Sequence, residues 1–177
     1  MNLLKFHNKI KGYTQNRQPG IEADMEPKPI AELEEYKAAG KLENKVALIT
    51  GGDSGIGRAI AILYAKEGAN VAIGYYDEHQ DAEDTVNRLQ EMGVKAKAYA
   101  HDLKDEKQSQ KLIKDVINDF GGLNILVNNG GVQFPRDHFE DITPQQVKES
   151  FMTNIFGMMF LSQAAVPYLS EGRSEEH

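Results

Sequence analysis

The sequence contains no cysteine among its 177 residues. The chain therefore has no disulfide, no thiolate nucleophile and no zinc ligated by cysteine. Its five histidines are scattered, and no two have the spacing that would bring both to one metal ion. We predict a protein without a metal site, whose histidines are exposed, and which resides in the reducing cytoplasm.

Long apolar runs and an excess of positive charge are missing as well. No apolar stretch approaches the ~20 residues that a membrane-spanning helix needs. Lys and Arg total 20 against 27 for Asp and Glu, which gives a formal net charge of −7. Such a charge disfavours nonspecific binding to nucleic acid or anionic lipid. The composition predicts a soluble globular protein whose partners include neither a nucleic acid nor a membrane.

The two ends of the chain differ in composition from its middle. Residues 18–29 read QPGIEADMEPKP, and the three prolines in this stretch prevent a regular element. A short helix is predicted over residues 31–39, ended by Gly40. We assign residues 1–44 to an extended N-terminal arm, 45–170 to the folded domain and 171–177 to a polar tail.

Strand and helix patterns alternate through the folded domain. Val46–Ile49 is an apolar run too short for a helix and typical of a strand buried on both faces. Three further strands are predicted at Asn70–Tyr76, Val94–Ala100 and Leu123–Val127. Helices are predicted from the glycine-rich segment to Gly68, over Asp81–Met92, over Asp105–Phe120 and after the capping signal at Thr143. This alternation predicts an α/β fold with a parallel sheet.

A glycine-rich segment, TGGDSGIG, joins the first predicted strand to the first predicted helix. Gly51 permits a tight turn, Gly55 lets the backbone approach a ligand, and Gly57 lets the helix pack closely on the sheet. Free N–H groups and the helix dipole favour an anion there. The segment predicts a pyrophosphate site formed by Thr50, Gly51, Asp53, Ser54, Gly55, Ile56 and Gly57.

The spacing GxxxGxG after Thr50 resembles the TGxxxGIG signature of the short-chain dehydrogenase/reductase family. Asp102 follows the third strand as in that family, and residues 128–131, NNGG, resemble the family's NNAG. The segment QPGIEADM is similar to a bacterial subgroup related to general stress proteins. The resemblance covers Val46 to about Leu169 and implies a Rossmann-like doubly wound parallel sheet.

The resemblance also implies roles for residues beyond the glycine segment. Asp102 matches the family's aspartate that binds the adenine amino group, and Leu103 lies beside it. An acid in this place is also common as an ordinary N-cap or turn residue. Asn128, Gly130 and Gly131 match residues that line the adenosine ribose and stabilise the sheet, with Gly130 in place of the usual alanine.

The end of the second strand decides between the two nicotinamide dinucleotides. An acid there accepts the ribose 2′-OH of NAD, and a cation attracts the 2′-phosphate of NADP. Tyr75 and Tyr76 occupy these positions, and we include both in the cofactor site. The sequence therefore predicts NAD or NADP without choosing between them.

Asn154 matches the asparagine of the family's Asn-Ser-Tyr-Lys tetrad, where it holds a water in a proton relay. A helical asparagine among apolar residues is also common as a structural group whose polar atoms bind backbone. The tetrad's Ser and YxxxK are absent, and after Leu169 the chain reads SEGRSEEH where the family has an apolar fifth strand. The pattern predicts a fold truncated after the fourth strand and following helix.

The resemblance implies an NAD(P)-dependent oxidoreductase that transfers hydride between the dinucleotide and a small carbonyl or alcohol substrate. Residues 132–137 match part of the substrate wall. Because the catalytic Tyr and Lys are absent, we expect this chain to be inactive alone. The alternatives are a non-catalytic nucleotide-binding or dimerisation module, with a homo-oligomer formed through the helix at 144–169, and a gene remnant.

Overall fold

Four parallel strands form the centre of the molecule in a computed structural model that describes residues 15, 22–26, 29–33 and 35–169. The predicted polar tail and most of the arm before residue 22 lie outside these residues. The strands are β1 (Val46–Thr50), β2 (Asn70–Tyr75), β3 (Ala96–Ala100) and β4 (Ile125–Val127). Their order across the sheet is β3-β2-β1-β4. The predicted α/β fold with a Rossmann-like parallel sheet is confirmed.

Helices connect the strands in the predicted alternation. They are α1 (Gly55–Lys66), α2 (His79–Glu91), α3 (Glu106–Phe120), α4 (Pro144–Phe151) and α5 (Met158–Ala165). A π-helical turn at Met152–Gly157 links α4 to α5, and short 3-10 turns occur at Glu22–Asp24, Phe139–Asp141 and Val166–Tyr168. The predicted last helix is therefore helical throughout residues 144–165, although its central residues, Met152–Gly157, are π-helical instead of α-helical.

Side chains at the helix ends act as the local sequence predicts. The Thr143 hydroxyl accepts a hydrogen bond from the Gln146 N–H, and the Gln146 side chain accepts one from the Thr143 N–H, which completes a capping box. Asp105 caps α3 by accepting from the N–H groups of residues 107 and 108, and Gly121 ends that helix at φ 83°. These caps set the helix boundaries without long-range contacts.

Apolar side chains cover both faces of the sheet. Ile49, Val71 and Ile73 lie in a cluster with α1 and α2. Leu48 and Ala72 point the other way, into a cluster with α3 and α5. Alternate residues of one strand therefore serve opposite layers, as expected for a parallel sheet buried on both faces.

The N-terminal arm packs against the domain through polar contacts. The Glu32 carboxylate lies 2.9 Å from both the Lys66 ammonium and the Arg88 guanidinium. Hydrogen bonds from Arg88 first, and then from Lys66, lower the pKa of Glu32. Residues 31–33 and 35–39 form no helix, so the predicted helix there is wrong. Contacts with distant charges determine the conformation of this segment.

Buried Glu67, just after α1, binds the next part of the arm. Its carboxylate accepts hydrogen bonds from the Tyr36 hydroxyl, the Ala39 N–H and the Lys41 N–H. These bonds, that of Tyr36 above all, lower the pKa of Glu67. The arm therefore follows α1 to the end of that helix.

Strand β4 differs from β1 in its surroundings. Every residue of β1 is buried, whereas the three residues of β4 are half-buried. Among the described residues β4 pairs only with β1, and a single parallel bridge joins Leu123 to Leu169. The final helical segments also expose apolar side chains, namely Phe151, Ile155, Phe156, Met159 and Val166.

No helix in the described part of the chain has the length and apolar character needed to cross a bilayer.

Candidate functional site

A cleft of about 490 Å³ opens at the carboxyl ends of the strands. This is where ligands bind in open parallel sheets, and the volume lies in the usual range for small-molecule sites. Its walls come from the glycine loop (residues 51–56), the ends of β2 and β3, the segment after β4 and the final helix. The lining residues outside the glycine loop are Tyr75, Tyr76, His101, Asp102, Leu103, Lys104, Asn129, Gly130, Gly131, Val132, Phe134, Glu149 and Thr153.

Two glycines give the glycine loop its shape. A Cβ atom on Gly57 would lie 1.9 Å from the carbonyl oxygen of Gly51, so only glycine lets α1 begin this close to the strand. Gly55 has a φ of 52°, and a Cβ atom there would meet nothing within 4 Å. The loop is therefore closed on the side of the sheet and open where a ligand would approach.

The Thr50 hydroxyl joins the ends of β1 and β4. It accepts hydrogen bonds from the N–H groups of Asn129 and Gly130, at 3.0 and 2.9 Å, and donates to the Val127 carbonyl at 3.3 Å. The Asn129 amide donates in return to the carbonyls of Thr50 and Gly51. Thr50 is 1% exposed and lies beneath the cleft, so its contribution is to fix the glycine loop in place.

Asp53 brings a buried carboxyl group into the cleft. Burial is the largest cause of its raised pKa, and the charges of Asp81 and Glu22 act in the same direction. Its backbone carbonyl accepts a hydrogen bond of 2.9 Å from the Thr85 hydroxyl on α2. This bond joins the glycine loop to α2.

Tyr75 and Tyr76 both line the cleft at the end of β2. The Tyr75 hydroxyl lies 2.8 Å from His79 Nδ1, and the two rings meet edge to face. Tyr76 is 52% exposed. Tyr75 and Tyr76 therefore form an aromatic side of the cleft, at the position where the sequence predicts them.

His101 corrects the expectation that the histidines are exposed, because only 7% of it is accessible. The ring occupies space left by Gly74, where a Cβ atom would lie 2.5 Å from His101 Cε1. Neither ring nitrogen has a hydrogen-bonding partner among the described residues. Burial lowers the pKa of His101, against the opposing effects of the Tyr99 backbone and the Asp102 charge. His101 therefore lines the cleft with a ring whose two nitrogens are buried and have no partner among the described residues.

Asp102 stands next to His101 and takes part in a turn. Its Oδ1 accepts a hydrogen bond of 2.9 Å from the Lys104 N–H, and its other oxygen lies 3.6 Å from the Lys104 ammonium. The backbone N–H of Asp102 donates to the Gln108 side chain. Asp102 is a turn acid and also lines the cleft, so both interpretations of this residue fit its position.

Asn154 lies in the π-helical turn and holds the loop after β4. Its Oδ1 accepts a hydrogen bond from the Val132 N–H, and its Nδ2 donates to the Val132 carbonyl, each at 2.8 Å. Both polar ends of the side chain thus bind backbone. Val132 lines the cleft, so Asn154 positions one of the lining residues through its backbone. Its part in a proton relay stays a prediction.

The structure brings most of the predicted site residues together. Those that line the cleft are Gly51, Asp53, Ser54, Gly55, Ile56, Tyr75, Tyr76, Asp102, Leu103, Gly130 and Gly131. Thr50 and Gly57 support the loop from beneath. Asn128 turns away from the cleft, and its amide donates to the Ser162 hydroxyl on α5 at 3.0 Å.

Several lining residues were missed by sequence reasoning. His101 and Lys104 flank the predicted Asp102 and Leu103, so their place at the end of β3 was the available signal. Glu149 and Thr153 lie four residues apart on one face of the final helix. No motif marks that pair, because their position depends on how the helix crosses the sheet.

The described residues contain no group of three histidine or acidic side chains that could hold a metal ion. A dinucleotide fits the observed groups better. The start of α1 at Gly55 offers an anion site, and Tyr75, Tyr76 and Asp102 bring polar groups to the same cleft.

Comparisons with known proteins agree with this geometry. The family model for short chain dehydrogenases matches residues 45–175. General stress protein 39 of Bacillus subtilis is 46% identical over 170 residues, which are 96% of this chain and 59% of the relative. This match confirms the resemblance to general stress proteins.

Two solved structures share the fold and were determined with dinucleotides. A short chain dehydrogenase from Burkholderia cenocepacia in complex with NADP is 37% identical, with a TM-score of 0.72 over 75% of this chain and 54% of its own. One from Mycobacterium paratuberculosis bound to NAD is 31% identical, with a TM-score of 0.70 over 75% and 53%. The chain thus spans little more than half the length of these relatives. It belongs to the short-chain dehydrogenase family.

Proposed function

We propose that the cleft binds NAD or NADP and that the chain is the nucleotide-binding part of an oxidoreductase. The glycine loop supports this proposal most strongly. Gly57 permits α1 to start against the strand, and the exposed Gly55 backbone presents its N–H to an anion, which in this structure is the Glu22 carboxylate of the arm. A helix N-terminus reached through such a loop is the usual place of a dinucleotide's pyrophosphate.

The rest of the cleft suits the adenosine half of the cofactor. Asp102 and Leu103 would border the adenine, and Tyr75 and Tyr76 would border its ribose. At the end of β2, Tyr75 and Tyr76 stand where an acid or a cation would contact the ribose 2′-position. NAD and NADP are therefore both retained as cofactors.

When bound, the dinucleotide supplies a hydride donor or acceptor for a small carbonyl or alcohol. The described residues would bind it and form part of the substrate wall, through Val132 and Phe134. No tyrosine of this sequence has a lysine four residues later, so the family's proton-transferring pair is absent. We expect binding of the cofactor without turnover by this chain.

A charge at the glycine loop tests the binding site. We expect Gly55→Asp to weaken binding of NADH and NADPH about tenfold or more, because the new carboxylate would face the pyrophosphate. Gly93→Asp is the matched control: Gly93 also has a positive φ, of 85°, and open space around its Cα. Fluorescence titration of the reduced dinucleotides measures both.

Two results would contradict the proposal. If Gly55→Asp and Gly93→Asp weaken binding equally, the cause is general destabilisation of the protein. If Gly55→Asp leaves the affinity unchanged, the glycine loop is not part of the binding site. Steady oxidation of NADH or NADPH with a panel of carbonyl compounds would refute the expected lack of turnover.

The exposed apolar side of the final helix favours a second function, a dimerisation module. Phe156 and Phe160 stack with centroids 6.4 Å apart, and Phe151, Ile155 and Met159 are exposed nearby. Apolar patches of this kind mark association surfaces. We expect a homo-oligomer through residues 144–169, detectable by sedimentation, and Ile155→Glu to shift it to monomer. A wild-type chain that sediments as a monomer would contradict this function.

A further inference from the structure

The arm begins its path along α1 at the glycine loop. The Glu22 carboxylate accepts a hydrogen bond of 2.5 Å from the Gly55 N–H through one oxygen. Its other oxygen lies 3.0 Å from the Arg58 guanidinium, and the Glu22 side chain is only 14% exposed. An anion from the arm thus already occupies the first N–H group of α1.

Other contacts bind later residues of the arm to the opposite end of α1. Glu32 pairs with Lys66 in the last turn of α1, and Tyr36 donates to Glu67 just beyond it. The arm therefore contacts both ends of α1, with Glu22 at the end that faces the cleft. A carboxylate fixed in this way loses less freedom on binding than one on a free chain.

The position matters because a dinucleotide's pyrophosphate needs the same feature. The first N–H groups of a helix have no partner within the helix, and they attract anions. Glu22 uses the N–H of Gly55 and also the positive charge of Arg58, in the first turn of α1. Its charge extends into the cleft, where it helps to raise the pKa of Asp53.

We propose that Glu22 is a built-in anion that competes with the dinucleotide for the glycine loop and so determines cofactor affinity. The proposal rests on the proposed function of the cleft. When the cofactor binds, the carboxylate gives up the Gly55 N–H, and Arg58 becomes available to the incoming phosphates. Affinity for either dinucleotide is then lower than the glycine loop alone would provide.

The test compares Glu22→Gln with Glu26→Gln in the full 177-residue chain. Glu26 is an exposed acid on the same arm, so its substitution removes the same charge away from the loop. We expect Glu22→Gln to tighten binding of NADH and NADPH about tenfold at low ionic strength, and Glu26→Gln to leave it unchanged. The gain of Glu22→Gln should shrink at high salt, because salt screens exposed charges.

Arg58→Gln supplies a second variant that acts in the opposite direction. It leaves the Glu22 charge unneutralised, so we expect several-fold weaker binding in the wild-type background and a smaller loss beside Glu22→Gln. Circular dichroism of every variant should match the wild-type chain. Such a match excludes unfolding as the cause.

The outcomes separate this inference from the proposed function. If the wild-type chain binds NADH and Glu22→Gln binds it equally or more weakly, the competition is refuted while the cofactor site stands. If neither protein binds either dinucleotide, the proposed function fails, and the inference fails with it. Binding gained only in Glu22→Gln would support both.

Discussion

The glycine loop and the N-terminal arm meet at Gly55, yet they are held by different forces. Buried hydrogen bonds to Thr50 and a backbone approach that only Gly57 permits fix the loop. Ion pairs near the surface, such as that between Glu32 and Arg88, hold the arm at residues 22–33, and only its later part is bound by buried Glu67. Steric and buried polar contacts are insensitive to salt, whereas exposed ion pairs are screened by it. High salt should therefore weaken the attachment of residues 22–33 and leave the glycine loop unchanged.

The largest expected effect comes from adding one methyl group beneath the loop. Gly57→Ala would place a Cβ atom 1.9 Å from the Gly51 carbonyl oxygen, so strand and helix must separate. We expect a loss of about 3 kcal/mol in the free energy of unfolding, measured by urea titration. Gly122→Ala is the control, because a Cβ atom there meets nothing within 4 Å. Similar losses in both variants would contradict steric exclusion at Gly57.

A smaller effect is expected from removing the hydroxyl of Thr50. Thr50→Val leaves the N–H groups of Asn129 and Gly130 without their acceptor in a buried place, which should cost about 2 kcal/mol. Thr85→Val removes one buried bond, to the Asp53 carbonyl, and should cost about 1 kcal/mol. Chemical denaturation at low and high salt measures both. Equal losses would mean that Thr50 is not the centre of a network.

The smallest effect is expected in the arm. Glu32→Gln should cost about 0.5 kcal/mol at neutral pH and low salt, and the loss should disappear at high salt. Arg88 and Lys66 lower the pKa of Glu32 from 4.5, so the ion pairs contribute to the free energy of unfolding fully above pH 4.5. This contribution is lost as the pH falls through the lower folded value. Exposed Glu35→Gln serves as the control, and thermal unfolding against pH measures both.

A salt-independent loss in Glu32→Gln would break the comparison between arm and loop. It would mean that the arm, like the loop, depends on desolvated contacts.

Local patterns allowed much of the fold to be predicted. The apolar run at Val46–Ile49 is buried as expected, because its residues offer no polar side chain to water. The capping box at Thr143 forms from residues three positions apart, so the local sequence contains all that it needs. The glycine loop was equally readable, since its geometry depends on which positions lack a Cβ atom.

Features that depend on distant partners were not predicted. His101 is buried because Gly74, on the neighbouring strand, leaves room for its ring. That Asn154 could bind backbone was one of the two interpretations from the sequence, but its partner, Val132, was not predicted, because the contact requires the final helix to cross beside β4. Such placements follow from packing between separate elements, which the local sequence of one element does not specify.

The sequence by itself determined the alternation of strands and helices, the glycine loop and the membership in a family, since each depends on spacing along the chain. Only the tertiary structure decided that the arm lies along α1 and that Glu22 reaches Gly55. The physical reason is that Glu22 and Gly55 are 33 positions apart and meet through charge and hydrogen bonding. An acidic segment in a sequence does not reveal which cation or N–H group it will bind.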